Sequence, residues 1–434
     1  MAIYFGKCNN TVVTSILCIM KMHFIGCKGV SMQQLMSILE YQGIMVSGSD
    51  LTLHGHNKKN VSGADAVVYT SAISADNVEL LEANQKKIPI IERSKLLGQI
   101  SQSYNKVVAV AGAHGKTTTT TMIGSILHGR NPTIHVGGDA IGSGGGKIGS
   151  KNYFVTEACE YKRNFLYLQP NIGVLLNFAL DHTDYYNDEE DLWDAYNGFA
   201  DKSQHLVLAH NLKDKINKDV HVTTFGNHGD FNAKNIIFDS ESLIFDCFIK
   251  EQLFGRFVVK AHGMHNIDNA LASIAVCKTL GLEYAEIMHG LKKFAGVKRR
   301  FEIVYHGKFG TIVSDYAHHP DEIVASINTA RQISKNVRVV FEPHTYSRTA
   351  SLQSKFVKAL QLADSVALLP IYAAREQRIK GVSSKQLSKL IPAQYLDSDD
   401  AVYKFIKNGL SDSVTIIMGA GTIDKYARVN FDTH

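Results

Sequence analysis

Six consecutive residues, Gly112-Ala113-His114-Gly115-Lys116-Thr117, hold the densest chemistry in the chain. They follow the apolar run at 107–111 and open a threonine-rich stretch leading to Met122. Glycines at a strand-to-helix turn let backbone N–H groups face an anion, and the helix N-terminus adds partial positive charge. Lys116 supplies a point charge and Thr117 a hydroxyl for Mg2+. The chemistry so assembled is phosphate binding. The longer GxxxxGK[ST] loop is not present, because Val110 stands where its first glycine would be. A Gly/Thr-rich helix cap with a surface lysine is the plainer alternative; in the cradle too the loop lysine is expected to be exposed and to contribute little to packing. The apolar strand before the loop and the helical pattern after it favour the cradle, which extends to Thr118.

Other polar groups also follow apolar runs. In "TEACEYKRNFL", Glu157 and Glu160 lie beyond such a run, within reach of a cation at the loop, although acidic residues at strand ends are usually just solvated. His182, in "NFALDHTDYY", reads on its own as a capping or hydrogen-bonded surface residue. "AHGMHNIDNALASIAV" is a polar turn becoming a small-residue helix, which Asn266 or Asp268 can cap. The adjacent His318 and His319 suggest zinc, but no cysteine or carboxylate has ligand spacing, so that reading is set aside.

Three blocks of alternating β and α signals must position these groups, which implies parallel sheets covered by helices. The expected organisation is an extension at 1–21, a first domain at 22–103, a central domain at 104–297 and a C-terminal domain at 298–434. In each block polar residues follow the apolar strands, where open α/β sheets place ligands. At 434 residues, 45% hydrophobic and 20% charged, the composition is that of a soluble globular protein. A net charge of +5 without a dense basic run gives no argument for nucleic acid. The six scattered cysteines, with no CxxC pair, read as free thiols of the cytoplasm. The apolar stretch at 11–20 is about half the ~20 residues of a membrane helix, so no membrane insertion is expected.

The loop GAHGKT resembles the G-T-x-G-K-T loop of the Mur ligase family, the ATP-dependent amide-forming enzymes of peptidoglycan-precursor synthesis. The later motifs resemble it in the same order. "EACEYKRNFL", "SDYAHHPDEI" and "FEPHTYSRT" are similar to the branch that joins L-alanine to UDP-N-acetylmuramate. The resemblance implies an N-terminal Rossmann-like UDP-binding domain, a central P-loop ATPase-like domain and a C-terminal Rossmann-like domain. It implies ATP at Gly112, Ala113, His114, Gly115, Lys116, Thr117 and Thr118, and Mg2+ held by Thr117 and Glu157. His182, of the motif Asp181-His182-x-Asp184-Tyr185, would hold a second Mg2+. His265, Asn266, Asn269, Arg300 and Asp315 would reach the nucleotide, the last two on closure of the C-terminal domain. Gly26, Lys28 and Gly29, in "HFIGCKGVSM", would hold the UDP pyrophosphate, with Ser71 and His319 also on the substrate. His344, Tyr346 and Arg348 would lie where the amino acid meets the acyl group.

Some departures from the family pattern matter. Cys159 stands where many relatives have Asp, and Asn197 lies near the position of a carbamylated lysine in some members, so no such modification is expected. Between Gly48 and Gly55 the chain is shorter than relatives by roughly one helix. Lys28 in place of a second glycine argues against a dinucleotide-dependent dehydrogenase. The implied reaction activates the lactoyl carboxylate as an acyl phosphate, which L-alanine then attacks. It needs no protein nucleophile, and no Ser/His/Asp pattern is seen. The rivals are a ligase adding a preformed peptide to the same sugar nucleotide, a folate or poly-amino-acid ligase, and a non-catalytic ATP-binding module. A monomer or homodimer is expected.

Overall fold

The computed structural model describes residues 20–138, 146–180, 182, 185–216, 221–239, 242–374 and 376–431. Most of the expected extension, together with Asp181 and Asp184, lies outside them. By its internal contacts the chain divides into two compact units. One contains the described residues up to Lys234 with Cys247–Gly255 and Asp268–Lys293; the other contains Asn235–Asp246, Arg256–Ile267 and the chain from Phe294 onward.

The first unit opens with β1 (Lys21–Ile25), α1 (Val30–Tyr41), β2 (Met45–Ser49), β3 (Ala66–Tyr69), α2 (Val78–Gln85), β4 (Ile90–Glu92) and α3 (Arg93–Ser101). The strands pair in the order β2-β1-β3-β4, all parallel. Strand β1 opens at Lys21, and the Met20 carbonyl already accepts from Met45 N at 3.0 Å. The link between β2 and β3 holds a 3-10 turn, Lys58–Val61, capped by Asn57. Ile25, Val61, Val67, Leu80 and Ala83 close the core on one face of this sheet.

Next come β5 (Lys106–Ala111), α4 (Lys116–Ile126), β6 (Thr133–His135), β7 (Tyr153–Glu157), β8 (Ile172–Leu175), α5 (Glu189–Lys202), β9 (His205–Ala209), β10 (Val222–Phe225) and β11 (Phe231–Phe238). Their order is β6-β7-β5-β8-β9-β10-β11. Strand β5 is central and fully buried after Lys106, which is why it reads as a continuous apolar run. Strands β12 (Leu243–Ile249) and β13 (Gln252–Val259) follow, then α6 (His265–Thr279) and α7 (Tyr284–Lys292). The run β11 to β13 was not anticipated from sequence. Lysine and asparagine interrupt β11, and Asp246 interrupts β12, where it pairs with Arg256 at 2.7 Å.

The second unit carries β14 (Glu302–Gly307), β15 (Gly310–Asp315), α8 (Pro320–Ile333), β16 (Asn336–Phe341), α9 (Tyr346–Ser351), α10 (Gln353–Leu360), β17 (Ser365–Leu368), α11 (Ser384–Leu387), β18 (Ala393–Tyr395), α12 (Asp399–Lys407) and β19 (Ser413–Met418). The order is β14-β15-β19-β16-β17-β18, with β14 antiparallel to β15 and the remaining pairs parallel. Alternate residues feed two cores: Val313, Val339 and Ile416 one face, Ile312, Val340 and Ile417 the other. Each of the three sheets is thus an α/β layer with its loops at the carboxyl ends of parallel strands.

Candidate active site

The loop after β5 turns on two left-handed glycines, Gly112 (φ 139°) and Gly115 (φ 85°). A Cβ on Gly115 would lie 2.4 Å from Asn269 Oδ1, so both the backbone angle and the neighbour require glycine there. Asn269, buried on α6, accepts from Thr119 Oγ1 at 3.2 Å. Asn177, beyond β8, fastens the loop from the other side. It accepts from His114 N at 2.9 Å and donates to His114 O at 3.0 Å. Thr117 and Thr118 are buried in the first turn of α4.

Lys116 is not the exposed lysine expected from sequence. Its side chain is 17% exposed, and Nζ donates to the carbonyls of Gly112 and Ala113 and pairs with Glu160 at 3.0 Å. The Glu160 side chain is 4% exposed. Burial works against the ammonium charge, but the Glu160 carboxylate outweighs it and leaves the lysine pKa raised. Glu160 also lies 3.8 Å from His182 Nε2. It therefore joins lysine and histidine, a role the sequence reading did not give it. The available signal was a second acid three residues past Glu157.

Glu157 ends β7 in register with Val110, and its Oε1 accepts from Gly137 N at 2.9 Å. Burial pushes the Cys159 thiol up to about 11, so it stays protonated and is no nucleophile. His182 has a left-handed backbone (φ 57°), and its carbonyl accepts from Tyr185 N and Tyr186 N. Its ring lies 4.7 Å from that of Tyr161. Just upstream, Phe178 stacks on Trp193 of α5 at 3.9 Å. Asn197, on the same helix, donates to Trp193 O at 3.1 Å.

In the N-terminal sheet, Gly26 (φ 81°) donates to Ser49 O at 2.8 Å, and Lys28 N donates to Asp50 at 3.2 Å. Lys28, Gly29 and Ser71 are exposed, in turns following the adjacent strands β1 and β3. Beneath them Glu79 is fully buried. It accepts from Ser49 Oγ, Asn57 N and Asn60 Nδ2, and lies 3.4 Å from His23 and 3.6 Å from His56. Burial alone would raise its pKa, but these partners bring it down to about 2.

In the second unit, Asp315 at the end of β15 is buried and accepts from Ser326 Oγ at 2.7 Å and Ala317 N at 2.9 Å. Burial leaves its pKa raised despite those bonds. Arg300 lies over the Tyr316 ring and 3.8 Å from Glu322. His319 caps α8, accepting from Asp321 N at 3.4 Å, so part of its role is structural. The His318 and His344 rings approach to 5.8 Å, and Arg348 lies 3.5 Å from His344 Nδ1. Burial, with His318 and Arg348 nearby, pushes His344 down to about 4. Tyr346 opens α9 on this side, half-buried. His265, at the start of α6, is exposed, and Asn266 beside it donates to His262 O at 2.7 Å.

Models of known families match nearly the whole chain. Residues 21–105 match the Mur ligase family catalytic domain, 110–277 the Mur ligase middle domain, and 299–421 the Mur ligase glutamate ligase domain. The chain belongs to the Mur ligase family. Among its relatives, the UDP-N-acetylmuramate–L-alanine ligase of Clostridium novyi is 41% identical, over 93% of this Mur ligase and 95% of that protein. The enzyme of that name from Alkaliphilus metalliredigens is 38% identical, over 92% and 95%. Among solved structures, the UDP-N-acetylmuramate–alanine ligase of Thermotoga maritima superposes with a TM-score of 0.81. It is 27% identical, covering 95% of this Mur ligase and 98% of that chain. The three matched segments follow the three sheets in order, with most of β5 lying between the first two.

Proposed function

We propose that this Mur ligase joins L-alanine to the lactoyl carboxylate of UDP-N-acetylmuramate, converting ATP to ADP and phosphate through an acyl phosphate. The observation that carries the reading is the loop itself. A glycine-formed cradle presents Lys116, and Glu157, Glu160 and His182 gather at the ends of neighbouring segments, in a chain about two-fifths identical to ligases of that name.

The residues present suit Mg2+. Thr117 and the two glutamates are hard oxygen donors, and His182 lies 3.8 Å from Glu160. Thr117 and Glu157 would hold one Mg2+ and His182 a second, and when bound they would neutralise charge on the phosphate oxygens. Backbone N–H groups of 112–118 hold the phosphates at the N-terminus of α4. Lys116 already has its ammonium among acceptors. When a phosphate arrives it exchanges loop carbonyls for phosphate oxygens and stabilises the charge that develops during transfer. The sugar carboxylate attacks the γ-phosphorus because a free carboxylate has no adequate leaving group; phosphate then serves as one.

On the second unit, the Arg348 guanidinium suits the carboxylate of L-alanine. His344, held neutral, accepts a hydrogen bond from the amine as it attacks. Asp315, Arg300, His265 and Asn266 serve the nucleotide, and Gly26, Lys28, Gly29 and Ser71 the UDP moiety. None of the described helices is long and apolar enough to cross a membrane; we place the reaction in the cytoplasm, where its sugar nucleotide is made. The deciding assay is phosphate release with each substrate omitted in turn. Release requiring both UDP-N-acetylmuramate and L-alanine is expected. Release without L-alanine would indicate an ATPase, and preference for a preformed peptide would indicate the peptide-adding reaction.

A further inference from the structure

Strand β6 pairs with β7 as far as His135, which faces Thr156. On its outer side Ile134 exchanges two hydrogen bonds with Lys147. Two residues on, that outer side is taken over by a side chain from the N-terminal domain. Gln34 of α1 donates Nε2 to Val136 O at 2.8 Å and accepts from Val136 N at 2.9 Å. A glutamine amide thus does what a strand neighbour would do, satisfying both polar groups of a buried residue. Beside it, Ser31 Oγ lies 2.8 Å from His135 Nε2 and accepts from Arg93 at 3.0 Å, while His135 Nδ1 reaches Thr156 Oγ1 at 2.9 Å.

The next residue after Val136 is Gly137, whose N–H donates to Glu157 Oε1. The peptide joining Val136 to Gly137 therefore has its carbonyl fixed by Gln34 and its N–H fixed on the carboxylate. Helix α1 itself begins at Val30, directly after the turn that carries Gly26, Lys28 and Gly29. A continuous path runs from that turn along α1 to Gln34, and through Val136 and Gly137 to the Glu157 carboxylate.

We propose that Gln34 is a positioning residue for the metal site: by holding Val136 on both polar groups it orients the Gly137 amide, and through it the Glu157 carboxylate. The proposal rests on the reading of Glu157 as a Mg2+ ligand. It makes a residue of the sugar-nucleotide domain a determinant of metal affinity in the ATP domain. Groups that orient metal ligands typically cost 10–100-fold in affinity when removed.

The test is Mn2+ binding, read by loss of the free-ion electron paramagnetic resonance signal, to the full chain with a non-hydrolysable ATP analogue. Gln34→Met keeps length and removes both hydrogen bonds; a weakening of about tenfold is expected. Gln34→Glu keeps the acceptor for Val136 N and should fall between Gln34→Met and wild type. It also serves if the methionine variant does not fold. Gln33→Met, on the exposed face of the same helix, should bind like wild type. Wild-type Mn2+ affinity in both Gln34→Met and Gln34→Glu overturns the proposal, as does equal weakening in Gln33→Met. Wild-type affinity in Glu157→Gln overturns the metal-ligand reading itself, and the proposal with it.

Discussion

Replacing Lys116 by methionine separates what the lysine does for the fold from what it does for the reaction. The methionine fills similar space but leaves Glu160 in a 4% exposed position without the cation that now lies 3.0 and 3.1 Å from its two oxygens. Removing one partner of a buried pair costs about 3–5 kcal/mol. The lysine side chain keeps 17% exposure to solvent, so the lower end, about 3 kcal/mol, is expected. With a urea m-value near 3 kcal/mol/M, the unfolding midpoint followed by circular dichroism should fall by about 1 M. Adding Glu160→Gln removes the stranded charge and should restore most of that loss. Phosphate release should not return: it should stay at least about 100-fold below wild type in both variants, the scale for losing one charge-stabilising group. A single variant as stable as wild type would refute the buried pair. A double variant with normal turnover would refute the lysine's role in phosphoryl transfer.

Glu79, held at about 2 against an ordinary 4.5, contributes stability that is complete above pH 4.5 and disappears as pH falls through 2. That lowering is worth about 3 kcal/mol; urea midpoints of wild type and Glu79→Gln should differ at pH 7 and converge near pH 2. His344, depressed to about 4, is neutral near pH 7, so the pH dependence of kcat/KM for L-alanine should show no inflection near 6.5 that His344→Asn removes. Finding one would show that this imidazole titrates normally. Gly115→Ala adds a methyl 2.4 Å from Asn269 Oδ1 at φ 85°, and should weaken calorimetric binding of an ATP analogue at least about tenfold. Gly129→Ala, whose methyl meets nothing within 4 Å, should not.

The parts legible in the sequence were those set by local requirements. Glycine at 112 and 115, with lysine and threonine following, answers a backbone angle and an anion at one place in the chain. Buried parallel strands such as β5 and β9 show as unbroken apolar runs because both faces are covered. What was not legible depends on register between distant strands. Lys116 meets Glu160 because the ends of β5 and β7 are neighbours, and Gln34 meets Val136 across 102 residues. No spacing rule encodes either. His319 was read as a substrate contact, yet its position one residue before Pro320 also makes it a helix cap. The run β11 to β13 escaped notice because polar residues break its apolar pattern.

The stacked pair Phe178–Trp193 gives the protein an optical property. The chain contains one tryptophan, so excitation beyond the tyrosine band addresses a single indole. That indole lies face to face, within 4° of coplanar, with a phenylalanine four residues before His182. Its emission is therefore tied to the segment that leads into the proposed second metal position, in a protein that needs no attached dye. Stopped-flow mixing with nucleotide or metal can follow that segment in real time, in the unaltered chain and at native concentration.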